Sequence, residues 1–186
     1  MFANKPSEIG CTNLLTYDIR LKANVKPIRM RPYKTGWKQR EIIEEQVDEW
    51  VKNGIIKPSM SEWSFPCLLV AKKGTDKQRL CIDFRSLNAQ SEIPNHPLID
   101  LEEFLGDLGS KKSMYYSTID LKSAYLQVPL SERSQEICSF VCSKGQYSFQ
   151  RAPFGLSALP MVFARLIDEV LRGTNHHFTQ SFIDDI

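Results

Sequence analysis

The sequence predicts an α+β fold, and three patterns carry that reading. From Trp37 onward apolar residues recur at helical spacing. Residues 65–71 and 79–84 are apolar strand-like runs on either side of a polar, Gly-containing centre. A second hairpin pattern surrounds Lys144-Gly145, and it is followed by Phe163, Leu166, Ile167, Val170 and Leu171 at steps of three and four. At 186 residues the chain is long enough to bury a core holding roughly two thirds of its unfolded surface.

Taken in order, residues 1–16 mix Gly, Ser, Asn and Pro without periodicity and read as a mobile lead-in. Residues 17–35 hold Pro27 and Pro32 and suit an extended strap better than a helix. A helix then begins near Trp37, with Ile43, Val47, Trp50 and Val51 on one face and Gly54 at its C-cap. Trp50 is expected in the core. A turn at Lys57-Pro58-Ser59 leads to the strand 65–71, its partner 79–84, and an exposed basic tip between them. That tip reads either as a solvated hairpin or as a triphosphate contact made by Lys72, Lys73 and Arg79.

Pro94 and Pro97 break the chain before a short amphipathic helix with Leu101, Phe104, Leu105 and Leu108 along one side and Gly109 at its end. Residues 115–119 read as a buried strand, with Asp120 at the change into a turn. Residues 136–141 and 146–149 read as a hairpin whose turn Gly145 supplies. Residues 151–156 form a loop, Ser157 is the expected N-cap of the last helix, and Pro160 is tolerated in its first turn. Gly173 ends that helix, and residues 178–183 read as a strand running into Asp184-Asp185. No internal repeat, low-complexity segment or linker is evident.

Composition narrows the function classes. The formal net charge is only +2, yet residues 17–40 carry eight Lys or Arg against the single Asp18, and residues 41–50 carry five acids and no base. The basic stretch suits a phosphate backbone, and equally suits a solvated surface. Five cysteines (Cys11, Cys67, Cys81, Cys138 and Cys142) in apolar or strand-like surroundings read as buried, reduced thiols; the Cys138/Cys142 pair lacks zinc-ligand partners. No apolar run approaches membrane-spanning length, and no basic-apolar leader is evident.

Chemistry is concentrated in acids. Phe182-Ile183-Asp184-Asp185 places two carboxylates after an apolar pair, and Ser117-Thr118-Ile119-Asp120 closes an aromatic-rich run with another. Adjacent carboxylates are costly to hold together without a cation. If the two segments lie side by side, three acids converge and suffice for two Mg²⁺ ions. A hydrated acidic turn is the plainer alternative.

These motifs resemble the fingers and palm of a reverse transcriptase, of the type encoded by Gypsy-class LTR retrotransposons. Phe182-Ile183-Asp184-Asp185 stands where that family has aromatic-x-Asp-Asp. The likeness runs from about residue 17 to the end. The segment from Asp120 through Leu121 to Tyr125 resembles the first catalytic motif, and 153–160 with Phe163 resembles the loop and helix beneath the nascent base pair. Arg79 through Asn88 resembles the fingers motif, and 54–59 the preceding turn. Arg151-Ala152 stands where a Met commonly precedes the Pro, and Leu159 where a small residue is usual.

The resemblance implies a right-hand polymerase arrangement, with an antiparallel palm sheet packed on helices. It implies a lead and basic strap at 1–35, mainly fingers at 36–113, and an incomplete palm at 114–186 with part of the fingers hairpin at 129–149. Asp120, Asp184 and Asp185 are then the catalytic and metal residues for two Mg²⁺, with Mn²⁺ as substitute, and Asp185 contributes less directly. Lys72 and Arg79 bind the triphosphate, Leu121 lies beside it, Tyr125 meets the sugar and disfavours a 2′-hydroxyl, and Phe154 and Gly155 lie against the base. Arg151 and Phe154 meet template and primer. Arg85 is structural, paired with an acid such as Asp83.

The implied activity is RNA-directed DNA polymerisation, a nucleotidyl transfer by part of a retrotransposon polyprotein. Its partners are a primed RNA or DNA template and deoxynucleoside triphosphates, without a membrane. The implied setting is intracellular, in a cytoplasmic retroelement particle or the nucleus. The chain stops directly after the acidic pair, where the family continues into a returning strand, thumb, connection and ribonuclease H, so fraying is expected there. The motifs alone leave open a non-catalytic nucleic-acid-binding or structural remnant.

Overall fold

Helix α1 (Trp37–Lys52) forms where the periodicity places it, burying Ile43 and Val47. The Trp50 ring packs 5.4 Å from Phe149 and edge-on to Phe140 at 6.4 Å. Val51, expected on the same face, is exposed. At about 100° per residue it lies about 80° around from Ile43, past the contact edge. Gly54 ends the helix at φ +64. Its N–H donates to Val51 O at 3.1 Å and that of Ile55 to Trp50 O at 2.9 Å. This doubly bonded left-handed stop requires no Cβ at Gly54. The computed structural model describes residues 9–71, 74, 78–95, 100–110, 114–174, 179–182 and 185–186.

Five strands make one sheet: β1 (Ile56–Pro58), β2 (Phe65–Ala71), β3 (Gln78–Ile82), β4 (Ser139–Cys142) and β5 (Gly145–Phe149), in the order β1-β5-β4-β2-β3. The sheet is mixed: Phe65 pairs with Phe140 in parallel, and the other pairings between its strands are antiparallel. A parallel pair needs a long crossover, which the chain between β2 and β4 provides. Pro58 is read from the sequence as part of a turn, yet it ends β1. That is an edge strand, where a missing N–H is tolerated.

Phe65, Phe84, Phe140 and Phe149 are fully buried. Their rings meet in pairs, Phe65 with Phe84 at 5.3 Å and Phe140 with Phe149 at 5.2 Å, and this aromatic layer ties sheet to helices. Residues 17–35 form the expected strap. It is held by Tyr17 N–H on Pro129 O (2.8 Å), Lys22 N–H on Gln90 O (2.9 Å) and Met30 N–H on Ser64 O (2.9 Å). The expected mobile lead-in is already bound at Thr12, whose N–H donates to Gln127 O at 2.8 Å.

Two helices escape the sequence reading: α2 (Arg85–Gln90) and α4 (Glu132–Ile137), each six residues. Under two turns is too short for a periodic signal. The Ser131 Oγ caps α4 by accepting from Ser134 N–H at 3.2 Å. Between them lies α3 (Leu101–Ser110), present as expected but one residue longer, with none of its residues buried. The last helix, α5 (Leu159–Val170), buries Leu159, Val162, Phe163, Leu166 and Ile167, while Val170 is exposed. Its N-cap is Ala158, not Ser157, and the buried Ser157 Oγ has no partner among the described residues.

Residues 115–119 are not a buried strand: Met114, Tyr115, Tyr116 and Ile119 are exposed. The side chains of an extended segment are buried only where another element covers its faces, and here they stay open; among the described residues its backbone hydrogen bonds begin at Ile119. Of the strand expected at 178–183, the described part contributes an isolated bridge at Phe182; positions 178 and 183 lie outside the described residues. All five cysteines are free, but Cys11 is exposed and Cys81 half-buried, so only Cys67, Cys138 and Cys142 match the buried reading. Burial pushes the Cys67 thiol up to about 12, which makes it inert.

Asp83 is the ionic anchor of this region. Its buried carboxylate accepts from Arg85 Nε (2.8 Å) and Nη2 (2.6 Å) and from the Tyr33 hydroxyl (2.7 Å). The Arg85 guanidinium, and then the Tyr33 hydrogen bond, hold the carboxyl well below the usual carboxylate range. A folded-state value below the unfolded one gives stability that is complete above the usual carboxylate pKa and is lost as pH falls through the folded value. Arg85→Ala should therefore move the acid-unfolding midpoint, followed by circular dichroism, to higher pH. Superposable acid titrations of variant and parent would contradict this.

Candidate active site

The acidic segments meet through backbone pairing. Ile119 N–H donates to Ile186 O at 2.7 Å and Ile186 N–H to Ile119 O at 3.0 Å. Asp120 and Asp185 then stand directly opposite one another in an antiparallel bridge. Opposed residues in the next, non-hydrogen-bonded position have Cα atoms about 4.5 Å apart and side chains on one face. Asp185 is presented by a tight reversal, since Phe182 N–H donates to Asp185 O at 2.9 Å and Asp185 N–H to Phe182 O at 3.2 Å. Asp184 lies outside the described residues, as do Lys72 and Lys73. Among the described residues no group of three or more His, Cys, Asp or Glu forms a metal cluster, and neither Asp120 nor Asp185 has an ion-pair partner.

Beyond Asp120 the chain reverses. Ser123 takes a left-handed conformation at φ 50, and its carbonyl accepts from Leu126 N–H at 2.9 Å as the 3-10 turn Ala124–Gln127 begins. Such a φ is uncommon for a residue with a side chain. The reversal carries Tyr125 inward, where its ring lies 5.4 Å from Phe154 and edge-on to Phe163 at 5.7 Å. Across Phe154, on its other contact, sits the Arg79 guanidinium at 5.7 Å, a cation–π arrangement. Arg79 itself is set by the β2–β3 hairpin, opposite Val70.

Arg79, Asp120, Leu121, Lys122, Ser123 and Phe154 line one cleft of about 530 Å³, with Glu49 and Trp50 of α1 contributing further wall. Six of the residues singled out from sequence are thus neighbours: Asp120, Leu121, Arg79, Tyr125, Phe154 and Gly155. Gly155 has φ +100, a conformation that strains any residue with a side chain, whereas the space beside Ile82 O would admit a Cβ at 3.4 Å; the backbone turn is what favours glycine here. Arg151 is placed differently. Its Nη1 donates to Gly10 O at 2.8 Å and more weakly to Leu126 O at 3.4 Å, which fastens the lead segment to the loop.

One contributor escapes the sequence reading as an individual residue. Asn88, on α2, donates from Nδ2 to Gly155 O at 2.8 Å and accepts at Oδ1 from Ser157 N–H at 3.0 Å. Its place in the 79–88 motif was the only available signal. Within the strap, Lys22 Nζ donates to Ala89 O and Arg29 pairs with Glu62, so two of its cations are engaged internally.

The chain is similar to known proteins over all these elements. Residues 70–186 match the family model described as "Reverse transcriptase (RNA-dependent DNA polymerase)". It is 36% identical over 190 residues to the Retrovirus-related Pol polyprotein from transposon gypsy of Drosophila melanogaster, covering 100% of this chain and 18% of that one. With the corresponding polyprotein from transposon 412 of the same fly it is 35% identical over 191 residues, again covering 100% of this chain and 15% of the other. The chain thus spans less than a fifth of the length of these relatives. In fold it is similar to a crystal structure of the prototype foamy virus protease-reverse transcriptase, with TM-score 0.82 at 21% identity over 96% of this chain and 23% of that one. The foamy viral protease-reverse transcriptase in complex with an RNA/DNA hybrid gives 0.79 at 22% identity over the same shares. The matched family model, covering both the Asp120 turn and the terminal acids, shows that the chain belongs to the reverse transcriptase family.

Proposed function

We propose that this chain is the fingers and palm of an RNA-directed DNA polymerase, part of a retrotransposon polyprotein, that adds deoxynucleotides to a primer 3′-hydroxyl. The observation that carries the reading is that Asp120, which lines a cleft together with Arg79 and Phe154, stands directly opposite Asp185. Family membership and the likeness to polyproteins support polymerase chemistry. Like charges set directly across an antiparallel pair repel, and a hard cation relieves that repulsion. The donor set therefore fits Mg²⁺, or Mn²⁺ in its place, held by Asp120 and Asp184 as principal ligands with Asp185 contributing less directly. When bound, two such ions lower the pKa of the 3′-hydroxyl and stabilise the leaving pyrophosphate.

The remaining roles belong to the chain's own groups. Arg79 and Lys72 neutralise the triphosphate, and Leu121 follows Asp120 along its path. Tyr125, fixed between Phe154 and Phe163, presents a ring where a 2′-hydroxyl would lie. Phe154 and Gly155 support the base pair, and Arg151 serves template and primer by bracing that loop. The unengaged strap cations follow the nucleic-acid backbone, an interaction that weakens as salt rises.

The test is primer extension on an RNA template, by the chain alone and in a form extended past Ile186. Asp120→Asn should lower Mg²⁺-dependent incorporation by on the order of a thousandfold. Synthesis undiminished by that change would reject the assignment. Tyr125→Val should raise ribonucleotide incorporation relative to deoxynucleotide by roughly tenfold, read as alkali-labile product. An unchanged ratio would remove the sugar-gate role. Arg79→Ala should raise the apparent KM for nucleotide, and an unchanged KM would place the triphosphate elsewhere.

A further inference from the structure

Loop 153–157 is a wall of the cleft that lies outside the sheet and the helices. Gly155 stands at φ +100 against Ile82 O and the Phe84 ring. Contact with β3 alone sets how close the loop comes but not how it is rotated. Rotation is set by the Asn88 side chain. A carbonyl can only accept and a backbone N–H can only donate, so Gly155 O and Ser157 N–H between them leave the Asn88 amide one orientation. Neither a carboxylate nor an apolar side chain can satisfy both.

Asn88 is itself fixed, because its backbone N–H donates to Phe84 O at 2.8 Å, and Phe84 is 1% exposed in the aromatic layer. The chain of contacts then runs outward. Phe84 anchors α2, α2 carries Asn88, and Asn88 clamps the residues on either side of Leu156. The clamp adjoins Phe154, whose ring touches both Tyr125 and Arg79. A shift of the loop would move the aromatic neighbour of the sugar residue and the seat of the triphosphate cation together.

We propose that Asn88 is a positioning residue of the nucleotide site: through the 155–157 loop it sets Phe154, and so fixes Tyr125 and Arg79 relative to one another. This role rests on the polymerase reading for its substrate, but it is a statement about nucleotide placement and can be read from binding alone. Asn88→Asp keeps an acceptor for Ser157 N–H and sets a second oxygen against Gly155 O. Asn88→Ala removes both bonds. Gly155→Ala strains the same loop through its backbone conformation at φ +100 while leaving the Asn88 side chain in place.

The experiment measures these three variants in the full natural chain carrying these residues. Two readouts apply: KM and kcat for deoxynucleotide incorporation, and the Kd for deoxyadenosine triphosphate with Mg²⁺, followed by NMR shifts of the Tyr125 and Phe154 rings. Each variant should raise KM and Kd by roughly ten- to a hundredfold and lower the preference for deoxynucleotide over ribonucleotide, with kcat changed much less. Unchanged KM, Kd and sugar preference, even alongside a lower melting temperature or kcat, would reduce Asn88 to a folding residue and overturn the proposal. A parent chain that binds nucleotide without incorporating it would remove the polymerase reading and leave this one standing. One that does neither would remove both.

Discussion

The reciprocal hydrogen bonds between Ile119 and Ile186 are the constraint on which the site depends. They join the end of an exposed run to the end of the chain and fix the register of everything beside them. A slip of one residue would turn Asp120 to the opposite face from Asp185, because side chains alternate along an extended strand. The carboxylates are brought together by backbone geometry, and the reversal closed by Phe182 and Asp185 sets how the second one is offered. Ile186, half-buried against the hydrophobic core, is the side of this pairing that the body of the fold holds, while Ile119 is exposed. On the Asp120 side the chain continues into the Asp120–Gln127 reversal, which Tyr125 anchors against Phe154 and Phe163.

That division explains how the molecule separates stability from chemistry. The five-stranded sheet, α1 and α5 bury the large apolar side chains, and Asp83 with Arg85 and Tyr33 locks the turn from β3 into α2. The candidate site lies at the margin of that body, where Asp120 and Phe154 are exposed and the cleft is open. Residues that must meet a large, charged substrate cannot also be fully buried. Their placement comes from short reversals at Ser123 and Gly155, each held by hydrogen bonds to a well-packed neighbour.

Much of this was legible in the sequence. The helices α1 and α5 and the β2–β3 hairpin are long enough for their apolar period to show, Gly54 marks the stop of α1, and Gly145 the turn between β4 and β5, as expected. Two matching local patterns, each an acid closing an apolar run, pointed to the pairing of Asp120 with Asp185. What escaped has physical reasons. The helices α2 and α4 are too short to carry a period, and the parallel pairing of β2 with β4 is decided by tertiary packing that no local pattern encodes. The apolar run 115–119 was misread because hydrophobicity signals burial only where a neighbour exists to supply it. Asn88 was invisible as an individual because its partners are backbone atoms 67 positions away.

The central claim is that the acid at 120 and the terminal acidic pair share divalent cations. Its most direct measurement is anomalous diffraction from Mn²⁺ in crystals of the chain, extended past Ile186, with primer, template and a non-hydrolysable nucleotide. The account requires two peaks, at least one within about 2.2 Å of carboxylate oxygens from both Asp120 and the 184–185 pair. Manganese peaks that touch only one of the two segments, or neither, would contradict it.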